Sequence, residues 1–239
     1  MIKVLINTMF ALVLLNPVLA VADLSLVGKS RIVFENEGGG SRVRLDISNQ
    51  HARLSLASIS VEWGDQRQED IPLAVSSPLI TIPAEQQKSI ELFYQGQGLP
   101  EDRESYFLLN ILDVPTVPQQ ENALQIALRH RYKLFYRPKL EMTPDQAVYL
   151  LAWQRIPAQD SIEADNPSPY YLTITNLIRR DPQGRRCGNS IAHMVLAPFS
   201  KKTLASDNCF EPVKELQYNI VNDSGREVEQ HSQVQSEIE

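Results

Sequence analysis

The chain of 239 residues has 43% hydrophobic and 22% charged residues, a balance typical of a folded globular protein rather than a disordered one. With 29 acidic against 23 basic side chains its formal net charge is −6, which argues against nucleic acid as the main partner. The length suits one large domain or two ordinary ones.

The first 22 residues have the composition of a secretory signal peptide. Lys3 supplies a short positive region, an apolar segment runs from Val4 to Leu15, and Ala20 and Ala22 provide the small residues expected before a cleavage site. A membrane anchor is the alternative, but the apolar run is shorter than the roughly 20 residues that span a bilayer. We therefore expect residues 1–22 to be removed and the mature chain to be exported without membrane insertion.

Residues 24–138 consist of short segments in which apolar and polar residues alternate, the pattern of half-buried strands. Val43, Leu45 and Ile47 show it most clearly. The apolar parity shifts between Leu56 and Ile59, which predicts a bulge or a strand break. Roughly seven such strands, with frequent turn residues and no convincing amphipathic helix, predict an immunoglobulin-like β-sandwich.

The run from Asn122 to Pro138, NALQIALRHRYKLFYRP, combines an apolar stripe with a basic stretch. Leu124, Ile126 and Leu128 occupy alternate positions, so in a strand their side chains form one apolar face. Periodicity alone favours an ordinary sandwich strand whose stripe lies in its own core. In an unbroken strand, the even-numbered stripe and the odd-numbered Lys133 face opposite sides.

After Pro138 the pattern restarts, which predicts a second, smaller β domain. Residues 142–144 are predicted to be a connector, and residues 227–239 are polar and predicted to be frayed. Strands are predicted at Ala147–Arg155, Tyr170–Leu177, Ile191–Ala197, Lys202–Ala205 and Leu216–Val221.

The two cysteines, Cys187 and Cys209, are predicted to form a disulfide, because an even pair in an exported chain favours one. Neither cysteine has a second cysteine or a histidine at ligand spacing, and the four histidines are scattered, so no metal site is predicted. The chain also lacks a nucleophile elbow, a dinucleotide fingerprint and a Walker sequence. We predict neither an enzyme nor a bound cofactor.

Several motifs, in the same order along the chain, resemble the periplasmic pilus chaperones of chaperone-usher systems. These are LPEDRES at 99–105, LQIAL at 124–128, KLFYRP at 133–138 and NPSPYY at 166–171. The resemblance spans essentially the whole mature chain. It implies an all-β protein with two immunoglobulin-like β-sandwich domains, residues 23–141 and 142–239, in an L-shaped (boomerang) arrangement around a cleft.

The resemblance also implies roles for individual residues. Arg31 and Lys133 match the two basic residues that hold the C-terminal carboxylate of a pilin subunit, a group that needs charge-assisted hydrogen bonds in a partly desolvated cleft. Leu124, Ile126 and Leu128 match the donor strand, which completes the subunit's unfinished fold by β-strand addition. Glu104, Arg137 and Asp223 match a salt bridge between the domains.

The function implied is that of a periplasmic chaperone that stabilises pilin subunits and delivers them to an outer-membrane usher. The resemblance also allows a homodimer in which two free molecules cap each other's stripes, and the oligomeric state of the free protein stays open. The alternative is a secreted immunoglobulin-like binding or adhesive module that delivers no subunit.

Overall fold

A computed structural model of the chain describes residues 24–36, 42–115, 126–156, 160–205, 209 and 211–235. The predicted signal peptide and Leu124 lie outside these residues.

The first domain is a sandwich of two β-sheets. Its strands are β1 (Leu24–Leu26), β2 (Arg31–Glu35), β3 (Arg42–Asn49), β4 (Ser55–Trp63), β5 (Leu73–Val75), β6 (Leu79–Ile82), β7 (Gln87–Tyr94), β8 (Ser105–Val114) and β9 (Arg129–Arg137). One sheet has the order β1-β3-β7-β5 and the other the order β2-β9-β8-β4-β6. Pairing is antiparallel except between β2 and β9, which run parallel.

The core of the first domain lies between these two sheets because alternate side chains point inward. On the central strand β8, Phe107, Leu109 and Ile111 are fully buried in this core. Tyr106, which directly precedes Phe107, belongs to a separate cluster on the opposite face of the sheet, which faces the second domain. That sheet therefore has one face in its own core and one face in the cleft.

The second domain is also a two-sheet sandwich. Its elements are α1 (Pro144–Leu150), β10 (Ala152–Ile156), β11 (Ser161–Asn166), β12 (Leu172–Arg180), β13 (Arg186–Leu196), β14 (Ser200–Ala205), β15 (Glu215–Val221) and β16 (Glu227–Gln233). The sheet orders are β10-β11-β14 and β13-β12-β15-β16. The core is built around the buried Trp153, and a disulfide joins Cys187 to Cys209, as predicted.

The strand predicted at Ala147–Arg155 is wrong in its first half, which belongs to helix α1. The helix begins with a capping box, in which the Thr143 hydroxyl accepts the Gln146 amide N–H and the Gln146 side chain accepts the Thr143 amide N–H. Pro144 occupies the first helical turn, where its missing N–H costs nothing. These local signals outweigh the apolar content of the segment.

Two further expectations are wrong. The predicted bulge in β4 does not occur, since β4 pairs with β8 without a shift from Leu56 to Trp63 and the small Ser55 and Ala57 take the buried positions. The polar segment from Glu227 to Gln233 is strand β16, paired with β15 along its whole length, instead of being frayed. Its polarity reflects a place at the edge of a sheet, where one side of the strand faces water.

Candidate functional site

The parallel pairing of β2 with β9 places Arg31 directly beside Lys133. Side chains alternate along β9, so Lys133, Phe135 and Arg137 share the face that looks into the cleft, while Leu134 packs in the core of the first domain. The two cations that the sequence separates by 102 positions are therefore neighbours on one face of one sheet.

Arg31 is buried and is held by the second domain. Its Nη1 donates to the carbonyl oxygen of Val221 at 2.6 Å and to that of Asn222 at 3.4 Å, and its guanidinium lies 4.3 Å from the centre of the Phe135 ring. Burial lowers the pKa of Arg31, and the nearby acidic groups oppose that effect. Within the described residues its Nε is buried and has no hydrogen-bond partner.

Lys133 is half-buried beside Arg31. Burial, and then the charge of Arg31, lower the pKa of Lys133 to about 8. Its Nζ is in hydrogen-bond contact with Nε2 of His193, which lies on β13 of the second domain. The free protein therefore holds a concentrated positive charge at this end of the cleft, the arrangement that a carboxylate requires.

Arg137, the last residue of β9, forms a network of ion pairs. Its Nε donates to Glu104 at 2.8 Å, its Nη1 and Nη2 donate to the two carboxylate oxygens of Asp223 at 2.7 and 2.9 Å, and Glu35 lies at 3.1 Å from Nη1. Burial lowers the pKa of Arg137, but hydrogen bonds and charges from Asp223 and Glu104 outweigh this effect and raise it overall. Glu104 and Arg137 both belong to the first domain, so Asp223 supplies the ion pair that crosses to the second domain.

The hairpin between β15 and β16 brings Asp223 into the cleft. The amide of Asn222 donates to Arg226, the amide of Gly225 donates back to Asn222, and the Asn222 side chain accepts two further bonds from the loop. Gly225 has a φ of +78°, and a Cβ there would collide with the Ser30 hydroxyl of the first domain. Glycine therefore permits both the turn and the close approach of the domains.

Aromatic side chains fill the contact between the domains. Tyr106 stacks on Phe135 with ring centres 5.1 Å apart, and Tyr171 of the second domain lies 5.4 Å from Tyr106. The amide of Tyr171 also donates to the buried Glu104 at 2.8 Å. In the sequence, the NPSPYY motif served only as a mark of resemblance. The packing of its Tyr171 against Tyr106 and Phe135 was not predicted, because these partners lie more than 30 residues away in the chain.

The predicted donor strand is placed only in part. Leu124 lies outside the described residues, and β9 begins at Arg129 rather than at Asn122. Ile126 and Leu128 precede β9 and are 67% and 42% exposed, and the Leu128 carbonyl accepts from the Asp113 amide at 2.9 Å. Both are therefore exposed apolar side chains, whereas periodicity alone favoured a buried stripe.

One edge of this region is unpaired. β8 pairs with β9 from Arg129 to Tyr136, but on the other side β2 covers β9 only from Lys133 to Arg137. In the part of the chain that the structure describes, no strand pairs with that side of Arg129–Tyr132. The open edge ends where the Arg31–Lys133 pair begins.

The described residues contain neither a candidate metal site nor a candidate membrane span. No group of three or more histidine, cysteine, aspartate or glutamate side chains there could hold a metal ion. None of the helices among those residues has both the length and the apolar character needed to cross a membrane.

Models of protein families match both domains. Residues 26–141 match the N-terminal domain of PapD, described as a pili and flagellar-assembly chaperone, and residues 146–232 match the C-terminal domain of the pili assembly chaperone PapD.

Individual relatives agree with these matches. The chaperone protein HifB of Haemophilus influenzae is 28% identical over 220 residues, which cover 87% of this chain and 86% of HifB. The probable fimbrial chaperone YadV of Escherichia coli is 29% identical over 225 residues, covering 88% and 89% of the two chains, and its crystal structure superposes with a TM-score of 0.74 over 89% of this chain and all of that one. The SafB chaperone of Salmonella enterica, solved in complex with the SafA pilin, shares the fold with a TM-score of 0.72 at 23% identity, covering 90% of this chain and 97% of that one.

Proposed function

Because the chain belongs to the family of pili-assembly chaperones, which are not enzymes, we propose that it is a periplasmic chaperone that completes the fold of pilin subunits by strand donation and passes them to an outer-membrane usher. The relatives named fimbrial chaperones, and the SafB chaperone solved with a pilin, support the choice of partner. The composition of residues 1–22 supports export.

The proposal rests mainly on the unpaired edge of β9 along Arg129–Tyr132, which ends beside Arg31 and Lys133. An unpaired strand edge presents free N–H and C=O groups to an incoming strand. A subunit strand that pairs along 126–132 and places its C-terminal carboxylate at Arg31 and Lys133 has to run in the direction of β9, that is, parallel to it. It would then lie in line with β2, which already pairs in parallel with β9.

The exposed apolar side chains supply energy for this pairing. Full burial of an aliphatic side chain contributes about 1.5–3 kcal/mol. Scaled by their exposed fractions of 67% and 42%, Ile126 and Leu128 together would contribute about 2–3 kcal/mol when a subunit groove covers them. Leu124, proposed as the third donor residue, would add to this amount. Association costs consume part of the gain, so the carboxylate anchor has to supply the remainder.

The proposed carboxylate anchor, Arg31 and Lys133, carries positive charge before the negatively charged ligand binds. Lys133 supplies an ammonium and Arg31 a buried guanidinium with an unused Nε–H. Hydrogen bonds between charged groups are shorter and stronger than neutral ones. The network of Glu104, Arg137 and Asp223 is proposed to hold the two domains at the angle that this site requires.

Affinity capture from the periplasm tests the proposal. The tagged chain is expected to co-purify a pilin that mass spectrometry identifies, and Ile126→Asp and Lys133→Ala are each expected to reduce the yield at least about tenfold, the effect of 1.4 kcal/mol. Leu79→Asp is the matched control, since Leu79 is 59% exposed on β6 at the far edge of the same sheet.

Circular dichroism has to show that all three variants remain folded. Capture that Ile126→Asp leaves at the control level would contradict strand donation. Delivery is followed by adding the usher, which is expected to release the captured pilin from the chain.

A further inference from the structure

A histidine of the second domain contacts the anchor lysine across the cleft. Nε2 of His193 on β13 is the hydrogen-bond partner of Lys133 Nζ on β9. An ammonium group has donors and no acceptor, so the imidazole nitrogen that meets it must carry a lone pair. In this contact His193 is therefore neutral, with its proton on Nδ1.

The contact lies at the outer end of the packed surface between the domains. Val195 packs against the cluster of Tyr106, Phe135 and Tyr171, and His193 lies two residues before it on the same face of β13. Lys133 likewise lies two residues before Phe135 on β9. His193 is exposed, so a ligand that reaches Lys133 also reaches the imidazole.

The charges around His193 are mainly positive. Burial, and then the charges of Lys133 on β9 and Lys202 on β14, lower the pKa of His193. On its own sheet His193 pairs with Thr175 of β12, whose hydroxyl donates to the Glu227 carboxylate. Apart from that acid, the surroundings favour the neutral imidazole while the site is empty.

We propose that His193 is a third residue of the carboxylate site, one that holds Lys133 in the free protein, yields it to the carboxylate, and takes up a proton when the carboxylate binds. The inference rests on the proposed function of Arg31 and Lys133 and adds to it. A bound carboxylate gives Lys133 a stronger acceptor and places a negative charge beside the released imidazole. The protonated ring then donates from Nε2 to the same carboxylate.

The proposal predicts that carboxylate binding is linked to protons. A group that gains a proton on binding makes the affinity rise as the pH falls through its pKa in the loaded state. Each pKa unit by which the ligand raises the pKa of His193 corresponds to a tenfold gain in affinity at low pH. A histidine that only packs against Lys133 would give no such pH dependence.

Nuclear magnetic resonance of the full chain tests the free state. The His193 ring is expected to be mainly the Nδ1–H tautomer in the wild type. In Lys133→Met it should become mainly the Nε2–H tautomer, with a higher pKa, because the donor and its charge are gone. A wild-type ring found mainly as Nε2–H would overturn the proposal.

Acetate, at constant ionic strength, is the probe for the loaded state. We expect it to shift the Lys133 Cε signal and to raise the pKa of His193 in the same titration, and to bind several-fold more tightly at pH 6 than at pH 7.5. His193→Gln can still accept from Lys133 but cannot be protonated, so it should lose the gain at pH 6, and its affinity for acetate should vary less than about twofold over that range. A response of Lys133 without one of His193 overturns this inference alone, whereas no response of Lys133 overturns the carboxylate anchor as well.

Discussion

Replacing Arg137 with methionine is expected to destabilise the first domain by about 3–5 kcal/mol, the usual cost of removing one partner of a buried ion pair. Arg137 and Glu104 are 7% and 1% exposed, so the substitution leaves the buried Glu104 carboxylate without its hydrogen-bonded ion-pair partner. The side chains of Asp223 and Glu35 are 39% and 50% exposed, and ion pairs at that exposure contribute about 1 kcal/mol or less. Asp223→Asn is therefore expected to cost about 1 kcal/mol or less.

Urea unfolding followed by tryptophan fluorescence measures these effects domain by domain. The chain has two tryptophans, Trp63 in the core of the first domain and Trp153 in the core of the second. In a Trp153→Phe background, Arg137→Met should lower the free energy of unfolding reported by Trp63 by the full amount. Adding Glu104→Gln, which removes the uncompensated charge, should recover at least half of the loss.

Two results would refute this reasoning. The first is an Arg137→Met variant within about 1 kcal/mol of the wild type, since a buried pair broken on one side cannot cost so little. The second is an Asp223→Asn variant as unstable as Arg137→Met, which would place the energy of the network in the exposed bond between the domains and not in the buried pair.

Two further predictions concern Lys133 and the disulfide. The folded protein disfavours the charged Lys133, whose pKa is about 8 against an ordinary 10.5, so this penalty is full below pH 8 and is lost as the pH rises to 10.5. Because the side chain is half exposed, we expect Lys133→Met to be only about 1 kcal/mol more stable than the wild type at pH 7, and equally stable above pH 10.5. Urea titrations at both pH values measure this difference. A variant less stable than the wild type at pH 7 would contradict the prediction. Replacing Cys187 and Cys209 together with serine opens a loop of sequence separation 22 and should cost about 3 kcal/mol, reported by Trp153, and a change confined to Trp63 would contradict the placement of the disulfide.

Patterns that repeat every two residues were predictable from the sequence. Leu45 and Ile47 on β3 alternate with polar residues and are buried in the core, as predicted. The bulge predicted before Ile59 was wrong because the inward positions of β4 there are occupied by the small Ser55 and Ala57. A pattern of large apolar residues does not reveal such positions. The capping box of α1 was visible in the sequence and outweighed a strand pattern.

Contacts between distant residues could not be predicted from periodicity. The four histidines are scattered along the sequence, and the contact between His193 and Lys133 joins residues 60 positions apart in different domains. The exposure of Ile126 and Leu128 was equally hidden, because an alternating stripe has the same pattern whether its own core or a partner covers it. The roles proposed for Arg31 and Lys133 come from the resemblance to a family, because no local sequence rule predicts them.

The open edge gives the proposed subunit a route to both the apolar stripe and the proposed carboxylate anchor. β9 pairs with β8 and with β2 without a shift in register, so Lys133 and the even-numbered side chains do face opposite sides. A strand added at the edge lies between the two faces, and its groove can cover Ile126 and Leu128 while its terminal carboxylate reaches Lys133. Because β2 occupies the edge from Arg31 onward, the added strand has to end there. Its register is then set by its C-terminus, which matters because a slip of one residue would turn every side chain of a strand to the opposite face.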